Sequence, residues 1–369
     1  MQKQRICIIG DGLSGLTCAV ALKNLQNIDV HLFLDTNKKK RDERTTAVSE
    51  SNYDFLKNNI KNFKPNIFWP SKSIELFYEY KKTQMNFLNF DDNKKKLMYV
   101  FENKKLKDLL LKEIYLKKIK CFRKNIKNLQ SLKKYDLIIL CLGTFSNLYK
   151  LTGNRAIKKD YKELAITGQV KHNIDNLKAS QFFLNEGPLA ILPFAKNKFS
   201  FVWTISKNLY ENNSQIIHDY TKKKIKNILK PDSKIKINNL QFYPIQLNLK
   251  SKYFADNILI LGEGLHRVHP VAGQGFNLVL RDINQLQKNI KYYLQLGIQL
   301  KTSNILSDFT KARKPENLIF GIGIDLTRSF FKKNDYLDPF KKIILEQANK
   351  IPQLKELSTK ISNSGLGSI

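Results

Sequence analysis

The sequence predicts an α/β fold that carries an inserted, mostly antiparallel β-sheet and ends in helices. Three observations predict it. The first 34 residues change from strand to helix to strand character, and continuous apolar runs return at 137–142 and 258–261. Between about 160 and 250 the chain instead holds short strand candidates separated by turns. Unbroken apolar runs belong to strands buried on both faces, as in parallel sheets, whereas short strands joined by turns belong to an antiparallel layer.

The elements follow in order. Residues 5–9 are β-rich, 13–25 have helical apolar spacing after a glycine-punctuated turn, and 28–34 return to strand character. A charged loop is expected at 38–44, a helix at 49–62, a short strand at 97–101, a helix at 106–115 and a buried strand at 135–142. In the antiparallel region the strand candidates are 164–172, 181–184, 189–194, 199–205 and 240–247, with an amphipathic helix at about 216–229. A buried strand at 257–261 leads through a Gly/Pro-rich loop into a helix of about 275–296. Its apolar positions Phe276, Val279, Ile283, Leu286, Ile290 and Leu294 recur every three or four residues. The last forty residues read as helical, with 365–369 as a frayed tail.

Gly10-x-Gly12-x-x-Gly15 follows the first strand, and Asp35 closes the second. Gly10 permits a tight turn, Gly12 lets a pyrophosphate approach the backbone, and Gly15 lets the helix pack closely on the strand. Leu13 and Ser14 open a helix whose N-terminal N–H groups and dipole favour phosphate. Asp35 lies about twenty residues on, the spacing at which a carboxylate accepts ribose hydroxyls. The opening unit is therefore expected to be Rossmann-like and to bind a dinucleotide.

Lys and Arg number 64 against 32 Asp and Glu, a formal charge of +32. Scattered lysine runs with abundant Asn and Ile first suggest solvated faces set by composition. Attraction to an anionic membrane surface is the second reading, and nucleic acid is not expected because no zinc finger, RNP box or glycine-loop RNA signature is present. Cys7, Cys18, Cys121 and Cys141 are far apart without a C-x-x-C pair and are expected to be reduced core thiols. No apolar run approaches the roughly 18 residues of a membrane span, so a cytoplasmic protein with at most peripheral contact on the inner face of the cell membrane is expected. His266 and His269 are three apart with no third ligand nearby, so no metal site is expected. His31, His172 and His218 are expected to be structural or exposed.

The run from Leu259 to Leu278, containing Gly262-Glu263-Gly264 and His269-Pro270-Val271-Ala272-Gly273-Gln274-Gly275-Phe276-Asn277, resembles the second FAD motif of the class A flavoprotein aromatic hydroxylases, and among them the ubiquinone-biosynthesis branch. Arg44-Thr45-Thr46-Ala47-Val48-Ser49 resembles the loop whose Arg contacts the FAD phosphates and ribose. Ala179-Ser180-Gln181-Phe182, Gly187 to Pro193 and Val202-Trp203-Thr204 resemble that branch's substrate-domain signature. The resemblance implies FAD held by Gly10, Gly12, Leu13, Ser14, Gly15, Asp35, Arg44, Glu263, Gly273, Gln274, Gly275, Phe276 and Asn277. It also implies NADPH or NADH as electron donor, and hydroxylation of a polyprenyl-substituted phenol or benzoquinol by molecular oxygen through a flavin hydroperoxide. The Pro270 carbonyl is placed to polarise the phenol hydroxyl. Other quinone-biosynthesis enzymes are implied as partners; the rival readings are a flavin-carrying accessory subunit that does not turn over and another FAD oxidoreductase of the same fold, such as a reductase or dehydrogenase.

The chain also departs from the family. Where the family carries Asp-Gly and then Ser and Arg, it reads Leu142-Gly143 through Tyr149, which puts nicotinamide reduction in doubt. Glu263 replaces the usual Asp. The expected division is an FAD-binding domain of 1–70, 98–158 and 250–325, a substrate domain of 71–97 and 159–249, and C-terminal helices from 326 to 369.

Overall fold

The computed structural model describes residues 3–36, 42–91, 96–144, 146–153, 155–229, 233–238, 240–270 and 273–348. The expected charged loop falls partly outside these residues, and the tail at 365–369 wholly so.

Gln4–Ile9 (β1), Leu13–Lys23 (α1) and Ile28–Leu34 (β2) form the opening β-α-β unit. β1 lies between β2 and Leu137–Leu140 (β9). Lys120–Arg123 (β8) adds beyond β2 and Ile258–Ile260 (β17) beyond β9, all in parallel. Phe254–Ala255 (β16) ends the sheet antiparallel to β17. All four residues of β9 are buried, as the unbroken apolar run requires. Gly15 to Leu22 of α1 are buried without a gap, because the helix is covered by the sheet, by Asn103–Leu116 (α3) and by Gly275–Gln295 (α6).

The second sheet has nine strands. Its order is His266–Arg267 (β18), Gln241–Lys250 (β15), Ala156–His172 (β10), Lys198–Ser206 (β13), Gly187–Ala195 (β12), Ala179–Leu184 (β11), Ser73–Tyr80 (β5) and Thr83–Asp91 (β6). Ile235–Ile237 (β14) pairs with the end of β10. Every pairing is antiparallel except β11 with β5. Trp203, Phe199, Phe201 and Ile166 lie at its core under Ile217–Leu229 (α5), while Lys207–Asn212 (α4) precedes that helix. A small third sheet joins Thr45–Ser49 (β3), Met98–Glu102 (β7) and Trp69–Ser71 (β4). Glu50–Asn59 (α2) continues β3, and Ile305–Phe331 (α7) and Asp338–Ala348 (α8) follow α6.

Four features differ from the expectations. The β5–β6 hairpin has no sequence signal: its turn residues Lys81 and Lys82 stand at φ +47° and +66° without the Gly or Asn that marks such turns. β10 begins at Ala156 rather than 164, because its exposed run Lys158-Lys159-Asp160 reads as loop although it pairs with β15. Helix α7 starts at Ile305, ahead of the expected C-terminal helices at 326. Cys121 is exposed on the edge strand β8, a correction to the expectation of four core thiols; Cys7, Cys18 and Cys141 are buried.

A buried ion cluster locks α6, α7 and β18 together. Asp282 on α6, with no exposed side-chain surface, accepts from Arg313 Nε on α7 at 2.7 Å and lies 2.6 Å from His266 Nε2 on β18; Asn317 Nδ2 adds a third contact at 3.1 Å. Burial pushes the Asp282 carboxyl up, but Arg313 and His266 outweigh it and hold it below its ordinary value of 3.8. Its contribution to stability is therefore complete above that value and is lost as pH falls below it. Asp282→Ala leaves Arg313 with the Glu316 carboxylate but removes the anion shared with His266 and Asn317, and is expected to cost about 3 kcal/mol, read as a fall in Tm at pH 7. The same substitution should change little at a pH low enough to protonate Asp282 in the wild type.

Candidate active site

A cavity of about 800 Å³ opens where the C-terminal ends of β1, β9 and β17 face the second sheet. Gly12, Leu13 and Ser14 form one part of its wall, and Glu263, Pro270 and the run Gly273 to Asn277 form another. Arg44 to Ser49 of the β3 segment close a third side. Eleven of the fourteen expected site residues thus line one space, although they come from three separate stretches of chain.

The glycines divide into two kinds. An added Cβ on Gly10, at φ +132°, would stand 2.0 Å from the Cys141 carbonyl oxygen, and one on Gly15 would stand 2.1 Å from the Gly10 carbonyl oxygen. These two lie behind the cavity wall and let β1, α1 and β9 meet. Gly12, at φ −76° and ψ 173°, has nothing within 4 Å of its added Cβ, and neither has Gly275. Both line the cavity with open space above them.

Both helix N-termini face this space. Gly12 caps α1 and Gln274 caps α6, neither with a side-chain hydrogen bond to its helix. First-turn N–H groups have no carbonyl partner inside their own helix and carry the positive dipole end. Together with the open ground above Gly12 they fit a dinucleotide diphosphate at α1 and an anionic ring edge at α6.

The remaining expected residues fall as follows. Arg44 is held by Asp42, with Nε to Oδ1 at 2.8 Å and a second bond at 2.9 Å, and lies 5.0 Å from the Tyr243 ring centre. The Asp42 bonds raise its already high pKa further. Asn103 Nδ2 donates at 3.0 Å to Asp42 Oδ2, the oxygen that also takes the second Arg44 bond, so this cation is aimed by two residues the motif does not contain. Thr144 donates to Glu263 at 3.1 Å. The Pro270 carbonyl accepts from Gly273 N–H at 3.1 Å, which closes the turn and leaves its second lone pair for another donor. Asn277 spends its side chain on the protein: Oδ1 accepts from Ser49 N and Asn52 Nδ2, and Nδ2 donates to Ala47 and Gly273 carbonyls. It straps β3 and α2 to α6. Asp35 is half-buried just past β2 and does not line the cavity among the described residues.

The far arm of the cavity is apolar. Ile74, Leu76, Phe87, Phe183, Leu192 and Phe331 line it, and Phe331 of α7 stacks on Phe183 with centroids 3.5 Å apart. Phe87 and Phe331 escaped sequence reasoning because neither the hairpin nor the end of α7 carries a motif. A second ion cluster supports this wall. Arg328 of α7 donates from Nε to Glu163 at 3.0 Å, and His269 lies 3.1 Å from the same carboxylate. Glu163 reaches them because β10 bulges between Asp160 and Glu163, with Lys162 at φ +53°. Burial lowers the His269 pKa despite this anion.

The departures at Leu142 and Tyr149 prove to be built into the structure. Tyr149, 5% exposed, accepts from Leu142 N at 3.0 Å and donates to the Gly143 carbonyl at 2.8 Å through one hydroxyl. Its ring packs on Gly264, where an added Cβ would stand 2.3 Å away. Leu142 packs partly buried against the first core. Restoring the family's residues with Leu142→Asp and Tyr149→Arg is therefore expected to destabilise the chain by about 3 kcal/mol or more, measured by urea unfolding.

A family model described as the FAD binding domain matches residues 162–296. The chain is 24% identical over 258 residues to the ubiquinone biosynthesis monooxygenase COQ6 of Danio rerio, covering 60% of this chain and 53% of that protein. It is 28% identical over 162 residues to the ubiquinone hydroxylase UbiL of Rhodospirillum rubrum, covering 43% and 38%. The chain spans about half the length of the curated relatives it matches. Among solved structures, PqsL of Pseudomonas aeruginosa matches with a TM-score of 0.73 at 13% identity, covering 93% of this chain and 99% of that one. The p-nitrophenol 4-monooxygenase PnpA of Pseudomonas putida DLL-E4 matches with 0.76 at 12%, covering 97% of each. At such identities the likeness is one of fold. The chain thus carries a match to the FAD binding domain, is similar in sequence to ubiquinone-biosynthesis hydroxylases, and shares the fold of solved flavin-dependent monooxygenases.

Proposed function

We propose that the chain is an FAD-dependent monooxygenase that hydroxylates the ring of a polyprenyl-substituted phenol or benzoquinol on the route to ubiquinone. The observation that carries this is the two-ended cavity: a glycine-rich end under two helix N-termini with Arg44 beside it, and an apolar arm ending at Phe183 and Phe331. Oxygen activation is the chemistry that bound flavin supplies. The chain's own tasks are to hold the diphosphate over Gly12, Leu13 and Ser14, to keep water from the reacting ring with its apolar arm, and to orient the phenol. The Pro270 carbonyl, with one lone pair left by Gly273, accepts the phenol hydroxyl's hydrogen bond and raises the electron density of the ring. In this reading residues 1–70, 98–158 and 250–325 hold the flavin, and 71–97 with 159–249 hold the substrate. A prenylated ring partitions into lipid, so the protein works as a peripheral protein at the inner face of the cell membrane, beside other quinone-biosynthesis enzymes.

NADPH or NADH is the proposed reductant. The filling of the Leu142 and Tyr149 positions by core side chains favours slow reduction, and the accessory-subunit reading keeps its support from this one observation. Turnover separates the two. Oxidation of NADPH stimulated by a prenylated phenol, with ¹⁸O from O₂ in the ring, is the expected result. Anaerobic bleaching of the flavin by neither nicotinamide would remove both as donors, and no ¹⁸O in the ring after chemical reduction of the flavin and readmission of O₂ would sink the enzyme reading.

The glycines test the cofactor. The Cβ of Gly12→Val meets no protein atom within 4 Å, so the variant should fold with at most the ~1 kcal/mol loss of a poor N-cap while its purified protein loses its yellow colour. Asp35→Ala removes the expected ribose hydrogen bonds and should cost roughly 1.5–3 kcal/mol of FAD binding. Stoichiometric flavin in both variants would refute the assignment.

A further inference from the structure

Helix α7 turns Ile319, Ile322, Leu326 and Phe330 to solvent, and Leu337 just before α8 does the same with Phe340, Ile343 and Ile344 on it; each is between 37 and 65% exposed. At about 100° per residue the four α7 positions fall in a stripe about 80° wide. Soluble monomers rarely leave so large a set of apolar side chains bare on consecutive helices. The other faces of both helices are occupied. Thr327 and Phe331 of α7 line the apolar arm of the cavity, and Ile324, Phe331 and Leu345 share one cluster with Phe87 and Phe183.

We propose that the outer faces of α7 and α8 are a docking surface for an anionic lipid bilayer, placed so that the apolar arm of the cavity lies directly behind the docked helices. This deepens the peripheral contact proposed above and rests on that reading. Charge selects the occupant. Lys332 and Lys333 join the two helices, and Lys81 and Lys82 form the tip of the β5–β6 hairpin. Lys81 and Lys342 both lie over the Tyr80 ring, at 5.6 and 5.4 Å, which sets that tip beside α8. A chain of net charge +32 disfavours a second copy of itself and favours an anionic surface. No helix among the described residues is long and apolar enough to cross a membrane, so the contact is one of helices lying in the interface with lysines toward the headgroups.

Co-sedimentation of the full chain with vesicles of phosphatidylglycerol and phosphatidylcholine tests this, beside vesicles of phosphatidylcholine alone. Wild type is expected to bind the anionic vesicles at low salt and to be released as salt rises. Leu326→Asp with Phe340→Asp should lower the bound fraction at least tenfold with Tm unchanged, while Tyr115→Ser, which removes a still more exposed aromatic on α3, should not. Wild type left in the supernatant at low salt overturns both the peripheral reading and this surface. If wild type and the double variant bind alike, this surface fails and the peripheral reading stands. A dimer in light scattering that Leu326→Asp converts to monomer assigns the face to a second copy and overturns the proposal.

Discussion

The structure depends on one close approach. At the crossing of β1, α1 and β9 the backbone of Gly10 rests on the Cys141 carbonyl, and Gly15 rests on Gly10, so that no room remains for a single carbon on either. Because the strands are parallel, their C-terminal ends lie on one side, and this contact brings the start of α1 to that side. A helix N-terminus pressed against the end of a buried sheet is both a structural joint and an anion site. The cavity follows from the joint, since Gly12 stands at its rim with open space above it.

A second approach repeats the device. Gly264 accepts the Tyr149 ring as Gly10 accepts Cys141, and that ring's hydroxyl ties Leu142 to Gly143. The loop after β9 and the turn after β17 are thereby held as one body, with Thr144 reaching Glu263 between them. From there the chain passes to β18 in the second sheet and then returns to α6. Residues 262–270 and 273–277 therefore stitch the two sheets together while forming one wall of the cavity.

Buried charge holds what apolar packing leaves adjustable. Asp282 joins α6, α7 and β18, and Glu163 joins the β10 bulge, α7 and the turn before Pro270. Each carboxylate meets a guanidinium and an imidazole from different elements. Buried ion clusters contribute little net stability compared with apolar residues of equal volume, but they tolerate only one geometry. Here that geometry fixes the distance between α7, which carries Phe331, and the glycine-rich loop, which carries the α6 N-terminus.

The sequence by itself determined the β-α-β opening, the buried strands, the antiparallel region and the long amphipathic α6, because apolar period and glycine spacing are local properties. It also determined the glycine-rich end of the cavity wall, since Gly12 to Ser14, Arg44 and Glu263 to Asn277 lie in contiguous motifs. Only the tertiary structure decided the roles of residues whose partners are distant in the chain. Arg44 is aimed by Asp42 and Asn103, Asn277 is spent on β3 and α2, and Tyr149 fills the ground beside Gly264. None of these leaves a period or a spacing behind. The hairpin at Lys81 and Lys82 was hidden because its turn is held at positive φ by pairing across β5 and β6, not by the turn residues. The apolar stripes of α7 and α8 were present as helical spacing, yet spacing alone marks a face for burial and cannot say that the fold would leave it bare.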